Sequence, residues 1–336
     1  MNGLQNPTDL PLVSIGVPTY NRPVLLRKAL SCLTAQTYQN LEITVSDNCT
    51  PGSEVKEILD EFQAKDKRIK GFIQPQNFGG VHNWIFVLEK SVGKYYMWLA
   101  DDDIISERFI EEAVNFLEVN PDYSMASGIP FWMDHDITRI GPLPILSLEN
   151  SSPRKRIIKY ILTAEDNCVF YSLLRRSQLD FIYPLPTYAG NDWLMVIRLL
   201  HLGKSKILPD ASVYKNIGGL SHDINAFARL YSCSAFWIKH RMITLYRYLL
   251  KDIFSSEYLG TTLFGKTVSL CSLSMACLFR GIYDWFYMWF YIILYRRYIK
   301  QYFFHIFYLI LPKKAFSTLK TIKQKTVSAV FKTFKK

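Results

Sequence analysis

Residues 95–106 read YYMWLADDDIIS. An apolar and aromatic run, Tyr95 to Leu99, ends in three adjacent aspartates, Asp101, Asp102 and Asp103. The run reads as a buried strand. Neighbouring carboxylates repel one another unless a cation neutralises them, and hard oxygen ligands suit Mg²⁺ or Mn²⁺. An isolated acidic run is ordinarily a solvated loop or a helix cap. At the carboxyl end of a strand in an open parallel sheet it stands where such sheets bind ligands.

The flanking sequence supplies that sheet. LVSIGV (12–17), LEITVSD (41–47) and IKGFIQ (69–74) read as strands, and KYYMWLA (94–100) as a fourth. Between them the apolar period changes to that of helices. One starts at Pro23 (Leu25, Leu26, Ala29, Leu30, Leu33), and one follows Ser53 as N-cap (Val55, Ile58, Leu59, Phe62). Further helices are expected over 80–91 and 107–119, and a further strand from Tyr123 to Ile129. Repeated strand–helix alternation predicts an α/β fold, a mostly parallel sheet flanked by helices. Downstream, 134–144 reads as a hairpin or loop, 167–176 as a strand, 191–203 as a helix closed by Gly203, and 224–250 as helical. Four polar loops converge on one sheet edge: PTYNR (18–22), SDNCTPG (46–52), NFGGVHN (77–83) and the aspartates.

The charge is uneven. Of a net charge of +11, all is carried from Arg296 onward, where two arginines and nine lysines stand with no acid. A neutral body argues against a nucleic-acid grip, and the basic tail predicts contact with an anionic surface. WFYMWFYIILY (285–295) is 11 residues long, against the roughly 20 that a membrane span needs. Its Trp and Tyr suit the headgroup level. On a helical wheel Phe316, Leu319, Val327, Val330, Phe331 and Phe334 share a face opposite Lys325, Lys332 and Lys336. Residues 285–336 are therefore expected to lie on anionic lipid, or else against the body or a partner subunit. The six cysteines are scattered without C-x-x-C spacing, and residues 1–11 lack the pattern of a signal peptide. A cytoplasmic chain with free thiols, peripheral on the inner face of the cell membrane, is the expectation.

PTYNR, SDN, NFGG and ADDD, in this order, resemble the family 2 glycosyltransferases of the GT-A fold, inverting enzymes that build bacterial polysaccharides from nucleotide sugars. The resemblance spans roughly residues 12–222. It implies a glycosyltransferase domain over 1–222, with a nucleotide half at about 12–130 and an acceptor half at about 131–222, followed by a helical, basic, aromatic region over 223–336. It assigns the nucleoside to Pro18, Thr19, Tyr20, Asn21 and Asp47, with Asn77, Gly79 and Asn83 lining the pocket and Asp101 beside them. The metal motif D-x-D-D starts here at Ala100, which leaves Asp102 as main ligand, with Asp103 and His222 as further ones, for Mn²⁺ or Mg²⁺. AGNDW (189–193) matches the family's E-D pair with Asn191 in place of Glu, so Asp192 is the expected base. Its helix N-terminal position is expected to lower its pKa. Lys215 is expected near the diphosphate. The implied partners are a nucleotide-sugar donor and a saccharide or lipid-linked acceptor, with hexosyl or deoxyhexosyl transfer in O-antigen or capsule synthesis. The alternatives are an inactive scaffold of the same fold, which the Ala100 and Asn191 departures motivate, and a sugar-phosphate nucleotidyltransferase.

Overall fold

A computed structural model describes residues 10–133, 139–143, 145–164, 167–188, 190–217, 241–254 and 269–282, with a few single residues between 225 and 236. The described residues fall into two compact units divided between Ser272 and Leu273. In the first, the expected alternation is present: β1 (Val13–Thr19), α1 (Pro23–Thr34), β2 (Leu41–Asp47), α2 (Glu54–Lys65), β3 (Ile69–Ile73), α3 (Gly80–Glu89), β4 (Tyr95–Trp98) and α4 (Phe109–Val119). Between β4 and α4 lies β5 (Ile104–Ile105), and after α4 come β6 (Tyr123–Met133) and β7 (Arg139–Pro142). The second half of the unit holds α5 (Pro153–Thr163), a 3₁₀ turn (Cys168–Tyr171), β8 (Leu173–Arg175), α6 (Arg176–Ile182), α7 (Asn191–Leu202), β9 (Lys204–Asn216) and α8 (Arg241–Phe254).

Among the described residues the sheet has nine strands, in the order β3-β2-β1-β4-β8-β6-β9-β5, with β7 paired to β6. β1 runs parallel to β2 and β4, and β2 to β3. β8 is antiparallel to β4 and β6, whereas β6 and β9 are parallel. Alternation along β1 divides its faces. Val13, Ile15 and Val17 join Ile43, Val45, Tyr95, Met97 and Leu99 in a core under α1, α2 and α4. Ser14 and Gly16 face the other way, where a Cβ on Gly16 would stand 2.8 Å from Val87 of α3. Both faces of the strands are thus covered, as parallel sheets require.

One expectation is corrected. The stretch 167–176 is not one strand: its first part turns in 3₁₀ form and only Leu173–Arg175 pairs. The sequence reading also passed over β9, whose 13 residues are interrupted by an irregularity opposite Gly128 and Ile129. The 134–144 segment does include a hairpin partner, since β7 folds back on β6.

α7, which carries Asp192 in its first turn, is held at its far end. Arg156 of α5, 4% exposed, donates to the carbonyls of Leu200 and His201 as well as those of Asn150 and Ser151. A guanidinium at the last carbonyls of a helix answers both their open hydrogen bonds and the negative end of its dipole. At mid-helix Arg198 pairs doubly with Asp252 of α8, at 3.0 Å in each contact.

Gly128 marks the tightest backbone approach in the β6–β9 pair: a Cβ there would lie 2.5 Å from the Ala211 carbonyl carbon and the Ser212 nitrogen. Backbone cannot give way as a side-chain tip can. Gly128→Ala is expected to cost about 1–3 kcal/mol, read as a lower urea midpoint with unchanged slope; an unmoved midpoint would contradict this packing.

Candidate active site

The register of β1, β2 and β3 brings their carboxyl ends level. Thr19 pairs with Asp47, the Thr19 carbonyl accepts from the Asn48 amide at 3.0 Å, and the Asp47 carbonyl accepts from Gln74 at 2.8 Å. β4 continues the edge, because the Leu99 amide donates to the Gly16 carbonyl at 3.0 Å. The four loops foreseen from the sequence therefore meet.

At their centre Thr19 Oγ1 donates to Asp101 Oδ2 at 2.7 Å. Arg22 Nη1 donates to Asp101 Oδ1 at 3.1 Å and to Asp102 Oδ2 at 2.8 Å. Asp101 is buried and Asp102 half-buried. Burial pushes the Asp101 carboxyl up to about 6, against the opposing pull of Arg22 and with the Asp102 charge adding to the rise. Asp103 faces elsewhere with one oxygen: its Oδ1 accepts the Asn216 amide at 2.9 Å, tying the aspartate loop to the end of β9. Among the described residues no group of three or more His, Cys, Asp or Glu side chains is set to hold a metal ion. His222 lies outside the described residues.

The loops around this centre brace one another. Asp47 Oδ1 accepts the Thr50 hydroxyl and Oδ2 the Thr50 amide. The Asn21 amide donates to Thr50 Oγ1 at 2.7 Å, and Asn21 takes φ 56° to do so. Asn48 bridges onward, donating to Asn77 Oδ1 at 2.8 Å and accepting the Phe78 amide at 3.0 Å. Gly79, at φ 88°, turns the chain into α3 through a region that favours glycine. Asn83 is buried, and its amide joins the Thr19 and Ser46 carbonyls at 3.2 and 2.8 Å. Pro18 is buried in β1, while Tyr20 and Asn21 are exposed above the edge.

Asp192 stands in the first turn of α7. Asn167 Nδ2 donates to its Oδ2 at 2.7 Å, and the Tyr160 hydroxyl donates to Asn167 Oδ1. The expected lowering by the helix N-terminus is overturned: burial raises the Asp192 pKa, and the Asn167 hydrogen bond and Arg241 only offset part of that rise. Three residues after Asn167, Phe170 stacks on Trp98 with centroids 5.4 Å apart and planes at 15°. Trp98 is the last residue of β4, so this stack links the Asn167–Asp192 side to the aspartate loop. Lys215 Nζ lies 5.1 Å from the Tyr171 ring centroid and 5.7 Å from that of Trp132.

Arg22 lies in PTYNR, Asn48 in SDNCTPG and Asn167 at the start of 167–176, and the sequence patterns assign none of the three a task. Arg22 had a visible signal, a cation placed one loop away from three acids. Asn167 had none, since its meeting with Asp192 depends on how α5 and α7 pack.

The family model described as glycosyl transferase family 2 matches residues 14–182. An uncharacterized glycosyltransferase of Haemophilus influenzae is 37% identical over 238 residues, covering 68% of this chain and 86% of that protein. The GalNAc(5)-diNAcBac-PP-undecaprenol beta-1,3-glucosyltransferase of Campylobacter jejuni is 38% identical over 96 residues, 28% of this chain and 30% of that one. Among solved structures, the mannosyltransferase PcManGT of Pyrobaculum calidifontis, in complex with GDP-Man and Mn²⁺, superposes with a TM-score of 0.55 at 15% identity, over 97% of this chain and 88% of that one. S. aureus TarS 1–349, in complex with UDP-GlcNAc, gives 0.50 at 17% identity, over 79% and 80%. These two structures share the fold. With the family model covering half of the sequence and the Haemophilus protein matched along most of its length, this chain belongs to glycosyl transferase family 2.

Proposed function

We propose that the chain moves a sugar, with inversion, from a nucleoside diphosphate donor to a hydroxyl of a saccharide or lipid-linked saccharide. The observation that carries the reading is the knot of Thr19, Arg22, Asp101 and Asp102 at the carboxyl edge of the parallel sheet, joined through the Trp98–Phe170 stack to the side that carries Asp192. Pro18, Thr19, Tyr20 and Asn21 form the nucleoside wall, with Tyr20, 43% exposed, offering its ring to a base. Each Asp47 oxygen already accepts from Thr50 and retains a lone pair for a base N–H. Asn77 and Gly79 border the same pocket, and Asn83 acts behind it by holding the ends of β1 and β2 together.

The acids fit a divalent ion. Two carboxylates of low exposure share one cationic nitrogen, a donor set of hard oxygens that requires a positive charge. Asp101 and Asp102 would hold Mn²⁺ or Mg²⁺, which supplies Lewis-acid stabilisation of the departing diphosphate. Asp192 takes the proton from the acceptor hydroxyl. The hydroxyl oxygen bonds to the anomeric carbon from the side opposite the diphosphate, the bond to the diphosphate oxygen breaks, and configuration inverts. The raised Asp192 pKa brings this base nearer the working pH, where general-base catalysis is efficient. The Campylobacter relative, named for a PP-undecaprenol-linked glycan, supports a lipid-linked acceptor.

A membrane-side acceptor agrees with the second unit. In the helix over 269–282 the exposed positions of residues 273–282 are Met275, Leu278, Phe279 and Ile282, each between 41% and 62% exposed. Their i, i+3, i+4, i+7 spacing makes one apolar face. Among the described residues no helix is long and apolar enough to cross a membrane. With the uncompensated basic sequence that follows, this face is suited to the headgroup layer of an anionic bilayer. The proposed location is the inner face of the cell membrane; residues 285–336 themselves lie outside the described residues.

Asp192→Asn is expected to slow nucleoside diphosphate release from a donor–acceptor pair by about 10²–10⁴-fold, with nucleotide affinity unchanged; near-normal turnover would remove Asp192 from this role. The acid limb of the wild-type rate profile should lie above the ordinary aspartate range. Asn167→Leu should move it higher still, because the lost amide bond favoured the ionised carboxylate. For the membrane, the full chain should float with phosphatidylglycerol vesicles and much less with phosphatidylcholine alone. Leu278→Glu with Phe279→Glu should lower that binding; equal flotation of the double variant would clear this face of the role.

A further inference from the structure

Arg22 is the cation that the paired aspartates already possess. A single nitrogen, Nη1, meets oxygens of both Asp101 and Asp102, at 3.1 and 2.8 Å. The carboxylate side chains are only 7% and 9% exposed, so without a positive neighbour their charges would repel at close range in a poorly solvated place. The guanidinium thus stands at one oxygen of each carboxylate, a place that another shared cation would compete for.

The rest of the side chain is not held by further hydrogen bonds among the described residues. Arg22 is 23% exposed, and Nη2 and Nε make no hydrogen bond to any described residue. Its backbone is the opposite case. The preceding residue Asn21 is fastened to Thr50, and α1 begins at Pro23 immediately after it. A long side chain on a fixed base can exchange partners by rotating about its own bonds. The unused edge of the guanidinium is the planar fork that matches phosphate oxygens with two parallel hydrogen bonds.

We propose that Arg22 is the resident counter-ion of the Asp101–Asp102 pair in the unloaded enzyme and is exchanged onto the donor diphosphate on loading. This rests on the reading of the aspartate loop as the donor site and adds its regulation. The charge balance explains why loading is coupled. A divalent ion entering alone must displace Arg22, leaving a guanidinium without a counter-charge beside a second positive centre. A diphosphate entering alone finds Arg22 already engaged with two carboxylates. Entering together, the ion takes the carboxylates and the diphosphate takes Arg22. Each ligand then raises the affinity of the other by the same factor, as linkage requires.

The test is Mn²⁺ binding to the full chain, followed by the electron paramagnetic resonance signal of free Mn²⁺, with and without each of UDP, GDP, CDP and dTDP. Wild type should bind Mn²⁺ weakly alone and more tightly with the nucleotide that fits. Arg22→Met should bind Mn²⁺ alone more tightly than wild type, on the order of tenfold, and lose most of the nucleotide enhancement. Arg22→Lys, which keeps a point charge without the fork, should stay near wild type for the ion alone. Thermal melts of each variant establish that it is folded. Equal or weaker Mn²⁺ binding by folded Arg22→Met would overturn the exchange while leaving the donor site intact. Absence of Mn²⁺ binding in every protein would overturn it together with the metal assignment. Nucleotide-induced rises in melting temperature then report separately on whether the donor reading survives.

Discussion

The hydrogen bond from Thr19 to Asp101 is the contact on which the candidate site is built. It joins the carboxyl ends of two parallel strands and fixes a carboxylate that burial would otherwise drive toward its neutral form. A carboxylate in that position needs donors, and the first loop supplies them: a hydroxyl at Thr19 and a guanidinium at Arg22. The loop in turn must leave β1 sharply enough to bring both donors to one acid. This accounts for the left-handed Asn21 and its anchor on Thr50, which Asp47 holds in place. Sequence order PTYNR, SDN, ADDD is thus one hydrogen-bonded assembly, each segment placed by the strand before it.

Much of this was legible in the sequence, for a physical reason. Strands and helices up to residue 119 are set by local apolar periodicity, and their loops follow wherever a parallel sheet puts them. LEITVSD matches β2 residue for residue. What was not legible depends on distant partners. β9 pairs with β6 after some eighty intervening residues, and its ladder is broken between Leu208 and Ser212, so no clean alternation marks it. NCVFYSLLRR has strand composition throughout, yet its first half curls because Asn167 must reach Asp192 and Phe170 must lie on Trp98. The same tertiary setting reversed the expected shift of Asp192. A helix N-terminus favours a charged carboxylate, but the loss of water around it costs more here.

The two sides of the candidate site are secured differently. On the side of Asp101 and Asp102, backbone hydrogen bonds between strands fix the loops. On the other, Asp192 rides on a helix pinned by side chains: Asn167 at its start, Arg198 with Asp252 along its length and Arg156 at its end. Arg198 and Asp252 form a pair of low exposure, costly to break by removing one partner because the other charge would remain stranded.

The sheet itself is narrow at one point. β8 has three residues, of which Arg175 and Leu174 pair with β4, and Leu174 and Leu173 with β6. Among the described residues, every ladder between β4 and β6 passes through this short rung. It is a mechanical waist. Two residue pairs cross the sheet on each side of β8, so the two parts are held together there by the Asp103–Asn216 bond, the Trp98–Phe170 stack and the shared core under α4 as well as by strand pairing.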